Sequence, residues 1–290
     1  MRHLVHGVSA LMSAILVAFA ILAVGQGLWG ALVFANIRTT PDLPWSPPLM
    51  AVLLALLVAG LGGWIGPRRG AAARRRLMAL RPVALEPFGW AVFAGLAGVA
   101  ACANLWIVLT RILPTPPNLL VDPSAYPPQT LLAILAMSIV AAPVSEELAF
   151  RGFAWGLLRK AFGPVATLMI VTTLFTLAHL TQGAYPAKLV VYFLAGLAFG
   201  LIAWRCGSLI PAMIVHSVAD LTFFTLVWPG DAHRSLIADT GPDLAFWAQC
   251  GAAAMFGGIS VWGFARLIAA TSPARDSRNP VATGGAPAAV

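Results

Sequence analysis

Charged side chains are scarce in this 290-residue chain: 10% of it is Asp, Glu, Lys or Arg, against 60% hydrophobic. That balance excludes a soluble globular domain, which needs far more polar surface to cover a core of this size. Cysteine is nearly absent. Cys102, Cys206 and Cys250 lie in or beside different apolar runs with no close spacing, which excludes a disulfide framework and a thiolate metal site. The chain has no strand-like alternation of period two, so it is not an outer-membrane barrel. It has no Gly-rich phosphate-cradling loop, no Gly-x-Ser-x-Gly elbow and no His-Glu-x-x-His, so three common ways of building a hydrolytic or nucleotide site are closed to it.

Long apolar runs are what the chain does have. Runs of about 18 or more apolar residues read as membrane-spanning helices. They fall near 9–35, 49–66, 88–110, 129–149, 164–181, 189–205, 208–228 and 244–269. The expectation is an all-α, polytopic transmembrane bundle of about eight helices. The first run is too long for a cleaved signal sequence and reads as a retained helix. Residues 1–128 read as a three-helix scaffold with loops, 129–228 as a catalytic core, 229–270 as an external loop with the last helix, and 271–290 as a disordered tail.

The net charge of +8 does not mark a nucleic-acid partner, because of where the cations sit. Arg68, Arg69, Arg74, Arg75, Arg76 and Arg81 share one connection between spans, which the positive-inside rule places in the cytoplasm. Alternation then puts most other basic residues inside, Arg2, Arg159, Lys160 and Arg205 among them, and leaves Arg38, Arg111, Lys188 and Arg234 outside. Both termini are expected in the cytoplasm, and the location is the inner (plasma) membrane, multi-pass. Membrane lipids are the implied partners.

Against this apolar background Glu146 and Glu147 stand side by side. An ionised side chain near mid-membrane costs at least about 2.5–3.5 kcal/mol, so such residues default to function. Helical spacing lets Glu147 pair with Arg151 while Glu146 points roughly 100° away. Pro143 is expected to break this helix and Ser145 to cap its restart. Counting at 1.5 Å per residue places Glu146, His179, His216 and Asp220 in one slab about 12–20 Å deep. His216 and Asp220, four apart, share a face. The remaining histidines, His3, His6 and His233, lie near a terminus or in a loop.

A carboxylate base and two imidazoles are the parts for amide hydrolysis by an activated water. They are also the parts of a zinc site, whose ligands would be Glu146, His179 and His216. A proton-coupled transporter would likewise bury Glu and His, but would be expected to show paired repeats, which the sequence lacks. No cofactor is expected on the metal-free reading.

Glu-Glu-x-x-x-Arg at 146–151, Phe-x-x-x-His at 175–179 and His-x-x-x-Asp at 216–220 follow one another on successive apolar helices. The ordered set resembles the CPBP (Abi) family of intramembrane proteases and bacteriocin-processing proteins, which includes the type II CAAX prenyl endopeptidases. The similarity covers about 130–225 and takes in Ala142-Pro143, Phe150-Arg151-Gly152 and Pro211-Ala212. The resemblance implies an intramembrane endopeptidase with a cavity open to the cytoplasmic leaflet and a membrane-associated peptide or protein as substrate. It implies that Glu146 activates water with His179, that His216 and Asp220 hold the oxyanion positions, and that Glu147 and Arg151 support them. Where the prenyl proteases usually have Asn this chain has Asp220, and a carboxylate donates only when protonated. Orientation of His216 is then the expected role of Asp220. The alternative within the same fold is a non-catalytic membrane scaffold or a bacteriocin-immunity protein.

Overall fold

A computed structural model of the chain describes residues 2–116 and 126–272, and every regular element among them is helical. Asp122 and the tail from 273 lie outside the described residues. α1 (Arg2–Leu22), a π-helical turn (Ala23–Gly27) and α2 (Leu28–Thr39) make one rod. α3 (Ser46–Gly62), α4 (Ala71–Met78) and α5 (Leu85–Ile112) follow. α6 (Pro128–Glu146), a π-helix (Glu147–Ala154) and α7 (Trp155–Ala178) form a second rod, and a 3₁₀ turn (His179–Gln182) ends it. α8 (Pro186–Cys206), α9 (Ile210–Thr222), α10 (Ile237–Thr240) and α11 (Leu244–Thr271) complete the bundle.

Six segments among the described residues are long and apolar enough to cross a membrane, where the sequence suggested about eight. The difference arises at two places. α3 has 17 residues and falls just short. Residues 128–182, expected as two spans, run as one helical segment of 55 residues, bent where Gly163 takes φ 72° and ψ 177°. That backbone is open to glycine and strained for other residues.

The expected break at Pro143 is absent, since α6 runs through it. A proline removes one backbone donor, and here the helix absorbs that loss. Ser145 caps nothing. Its hydroxyl donates back to the carbonyls of Ala141 and Ala142. The irregularity begins instead at the second acid, in the π-helix of Glu147–Ala154.

Small residues set how closely the helices approach, as expected where lipid removes most of the hydrophobic drive for packing. α5 lies along α11, and a Cβ on Gly263 would come 2.9 Å from the Ala94 Cβ. α5 also meets α9 through Gly95, whose Cβ would overlap Val215 at 2.6 Å. The same device brings the first rod onto α6: a Cβ on Gly25 would sit 2.3 Å from Ser145 Cβ. At the far end of that rod, buried Asn36 ties α2 to α3. Its amide donates to the carbonyls of Thr40 (2.9 Å) and Leu43 (2.8 Å), and its oxygen accepts from the Ser46 amide and hydroxyl. α11 begins on Asp243, which accepts from the Phe246 amide and pairs with Arg111 at 2.7 Å. The Arg111 bond holds the Asp243 carboxyl below the usual carboxylate range.

Asn36 supports a prediction. Asn36→Leu removes all four bonds and leaves buried polar groups without partners, so detergent-solubilised protein should lose about 2–3 kcal/mol of stability. A thermal melt reads this, and an unchanged midpoint would refute the role assigned to Asn36.

Candidate active site

Three helical rods converge on one buried cluster of acids and a histidine. The π-helix after α6 supplies Glu147 and Arg151, and every residue of Glu147–Ala154 is buried. A π-helix widens the turn and moves successive side chains off the α-helical faces, a distortion frequent at functional sites. Glu147 is wholly buried, and one of its oxygens, Oε1, takes two bonds. Arg151 Nη1 donates to it at 3.0 Å, and His216 Nδ1 approaches at 2.9 Å. A carboxylate can only accept, so Nδ1 carries the proton and Nε2 is turned the other way.

Arg151 is itself locked in place. Its Nη2 donates to the Gly196 carbonyl at 2.9 Å, and its guanidinium lies 4.3 Å from the centre of the Phe175 ring, with Phe199 and Phe150 farther out. Gly196 permits this approach, since a Cβ there would stand 3.4 Å from Arg151 Nη2 and 2.9 Å from the Phe175 ring. Cation–π contacts in a dry site replace part of the hydration that the guanidinium gives up.

Glu146 points away from this pair, as the 100° rotation requires. Gln26, from the π-helical turn of the first rod, donates to its Oε1. Its other oxygen, Oε2, is buried without a hydrogen-bond partner and stands 3.6 Å from His216 Nε2. On the same side of the ring, Asp220 Oδ1 stands 3.8 Å from Nε2. Both are ion-pair distances and too long for hydrogen bonds. The His216 ring stacks on Phe199 at 4.3 Å between centroids. The orienting bond that the sequence assigned to Asp220 is therefore made by Glu147, at the opposite ring nitrogen.

Glu146, His216, Asp220 and His179 all line one cavity of about 980 Å³. His179 stands apart from the acids. It opens the 3₁₀ turn after α7, its Nδ1 donates to the Phe175 carbonyl at 2.8 Å, and its ring stacks on Tyr192 at 4.1 Å. It forms no ion pair or hydrogen bond with Glu146 among the described residues. Its Nε2 is left as an acceptor. No group of three His, Cys, Asp or Glu side chains among the described residues could hold a metal ion. The zinc set of Glu146, His179 and His216 does not fit as placed, because His179 is turned to Phe175 and Tyr192.

Gln26 and Trp29 were not among the residues singled out from sequence, yet both line the cavity. Their signal was present: Gln26 is the one amide in its apolar run and lies between Gly25 and Gly27. Tyr192, whose hydroxyl donates to Gln182 at 2.7 Å, belongs to the same wall.

The Arg151 clamp yields a prediction. Arg151→Leu leaves Glu147 buried with a single partner, which should cost about 3–5 kcal/mol. Arg151→Lys should not restore it, because an ammonium cannot reach both acceptors while lying flat on Phe175. Melting of both variants in detergent measures this, and a lysine variant as stable as the parent would contradict the clamp.

No curated protein and no solved structure matches the chain. Residues 128–222, which carry Glu146, Glu147, Arg151, His179, His216 and Asp220, match the family model described as type II CAAX prenyl endopeptidase Rce1-like. The chain is a multi-pass membrane protein, helical in every regular element among its described residues, whose residues 128–222 are similar to the CPBP/CAAX protease family.

Proposed function

We propose that the chain is an intramembrane endopeptidase in which Glu146 activates a water against a peptide bond of a membrane-associated substrate. The observation that carries this reading is Glu146, a residue that lines the cavity and whose buried Oε2 has no hydrogen-bond partner while its other oxygen is fixed by Gln26. A base needs a free lone pair within reach of its proton and a side chain that does not wander.

The step is ordinary acyl transfer to water. Glu146 takes a proton as the water oxygen bonds to the carbonyl carbon. The carbon–nitrogen bond then breaks, and that proton passes to the leaving amine, which returns Glu146 to its starting state. His179, with Nε2 as an acceptor on the same cavity, helps orient the water. His216 is held by Glu147 so that Nε2 faces the reacting side, where a protonated Nε2 would donate to the developing oxyanion. Glu147 and Arg151 are positioning residues. Asp220 stands beside Nε2 at 3.8 Å, where an amide would serve as well. No metal enters the scheme. The membrane assigned is the inner (plasma) membrane.

The experiment is comparative proteomics of membrane peptides in cells with the wild-type chain, Glu146→Gln and Asp220→Asn, with and without a chelator. Loss of a general base should slow cleavage by about 10²–10⁴-fold in Glu146→Gln. Asp220→Asn should keep activity, and the chelator should leave it unchanged. The rival reading, a non-catalytic scaffold or immunity protein, requires that Glu146→Gln alter no peptide while the fold and phenotype persist.

A further inference from the structure

A second cavity, of about 520 Å³, is lined by Arg151 but by none of the acids or histidines of the catalytic cluster. Three segments wall it: the end of α4 with the residues just after it, the π-helix running on into α7, and the end of α8 with the turn that leads to α9. These walls are fastened to one another. A Cβ on Gly152 would come 3.1 Å from the Leu77 carbonyl oxygen, so the absence of a side chain there lets α4 lie against the π-helix. The third wall is held by hydrogen bonds: Leu209 N donates to the Ala79 carbonyl at 3.1 Å, Ser208 Oγ to the Arg81 carbonyl at 2.7 Å, and Arg81 Nε to the Gly207 carbonyl.

The charge of this cavity is of one sign. Arg76, Arg81, Arg159 and Lys160 line it together with Arg151, and no Asp or Glu does. The side chains of Arg76, Arg159 and Lys160 make no ion pair and no hydrogen bond among the described residues, and Arg81 is bonded to a carbonyl alone. Arg151 is nearly wholly buried, and its Nε has no hydrogen-bond partner. Cations gathered around one concavity with low-dielectric walls repel one another and focus a positive potential, which an anion between them would offset. The same walls carry two half-buried tryptophans, Trp155 and Trp204, with ring centroids 5.9 Å apart. Tryptophan settles at headgroup depth in a bilayer. Just past Lys160 in the chain, Phe162 and Val165 are exposed apolar side chains, against which an acyl chain can lie.

We propose that this cavity binds the phosphate headgroup of an anionic phospholipid. Basic pockets between membrane helices suit such headgroups. A soluble phosphate would meet the same cations but leave the tryptophans and the apolar flank unused. A zwitterionic lipid brings its own ammonium, which the unpaired cations repel. The site is separate from the proposed chemistry, and its occupation does not depend on the chain cutting anything.

Native mass spectrometry of the detergent-solubilised full chain, with phosphatidylglycerol or phosphatidylcholine added, reads the binding directly. Phosphatidylglycerol should be retained at least about tenfold more than phosphatidylcholine. Arg159→Gln combined with Lys160→Gln, both exposed and unpaired, should weaken phosphatidylglycerol binding about 10–30-fold. Arg76→Gln, on the α4 wall, should weaken it about fivefold. Arg68→Gln combined with Arg69→Gln removes the same charge from exposed positions outside the cavity and should leave binding unchanged. Equal retention of the two lipids, an equal loss in the Arg68 and Arg69 variant, or an Arg76→Gln chain that binds as the parent does overturns the site. Complete displacement by inorganic phosphate at the lipid's own concentration would assign the cavity to a soluble anion and overturn the lipid.

Discussion

A fully buried carboxylate cannot remain ionised in an apolar bundle without partners, and the centre of this molecule is arranged around that constraint. Glu147 receives both of its bonds on one oxygen, from Arg151 on its own helical rod and from His216 on α9. Arg151 must in turn be satisfied, which draws in the carbonyl of Gly196 on α8 and the faces of Phe175 and Phe199. One buried charge thereby fixes the relative placement of four segments. Each contact is local, but none can be made unless the others hold, which is the usual behaviour of a buried polar network.

The two adjacent glutamates consequently live in different chemical environments. Glu147 is held by Arg151 and His216 away from the cavity, and its neighbour lines the cavity with one oxygen on Gln26. The π-helix makes this division workable. In a regular α-helix Glu147 and Arg151 would still pair, and in the π-helix every residue of Glu147–Ala154 is buried. The histidines divide in the same manner. His216 is gripped at Nδ1 by a carboxylate, and His179 at Nδ1 by a carbonyl, so both present Nε2 to the cavity from different walls.

Much of this was readable in the sequence because charge in an apolar run is a strong signal. The pairing of Glu147 with Arg151 followed from four-residue spacing, and the outward turn of Glu146 from one-residue rotation. The bond between Glu147 and His216 was not readable, because it joins residues 69 apart on different helices and no local pattern encodes it. Pro143 misled for a physical reason: proline weakens a helix, but packing on both sides can hold it straight, whereas the bend at Gly163 arises from a backbone conformation that glycine alone adopts easily. Gln26 was overlooked because an uncharged amide in an apolar helix carries little apparent cost. Its importance appears only once Gly25 is seen to let the helix touch Ser145.

Gln26 also sets where the working unit ends. The recognisable domain at residues 128–222 contains every acid and histidine of the cluster, yet the group that steadies Glu146 comes from the opening rod, more than a hundred positions earlier. The domain boundary drawn by resemblance and the boundary drawn by chemistry are therefore different lines. A swap that transplanted the recognisable helices into another membrane scaffold would carry the acids across and leave the brace behind. If Glu146 is the base proposed above, inheritance of function in such a chimera depends on a glycine-flanked amide in a helix that shares no motif with the rest.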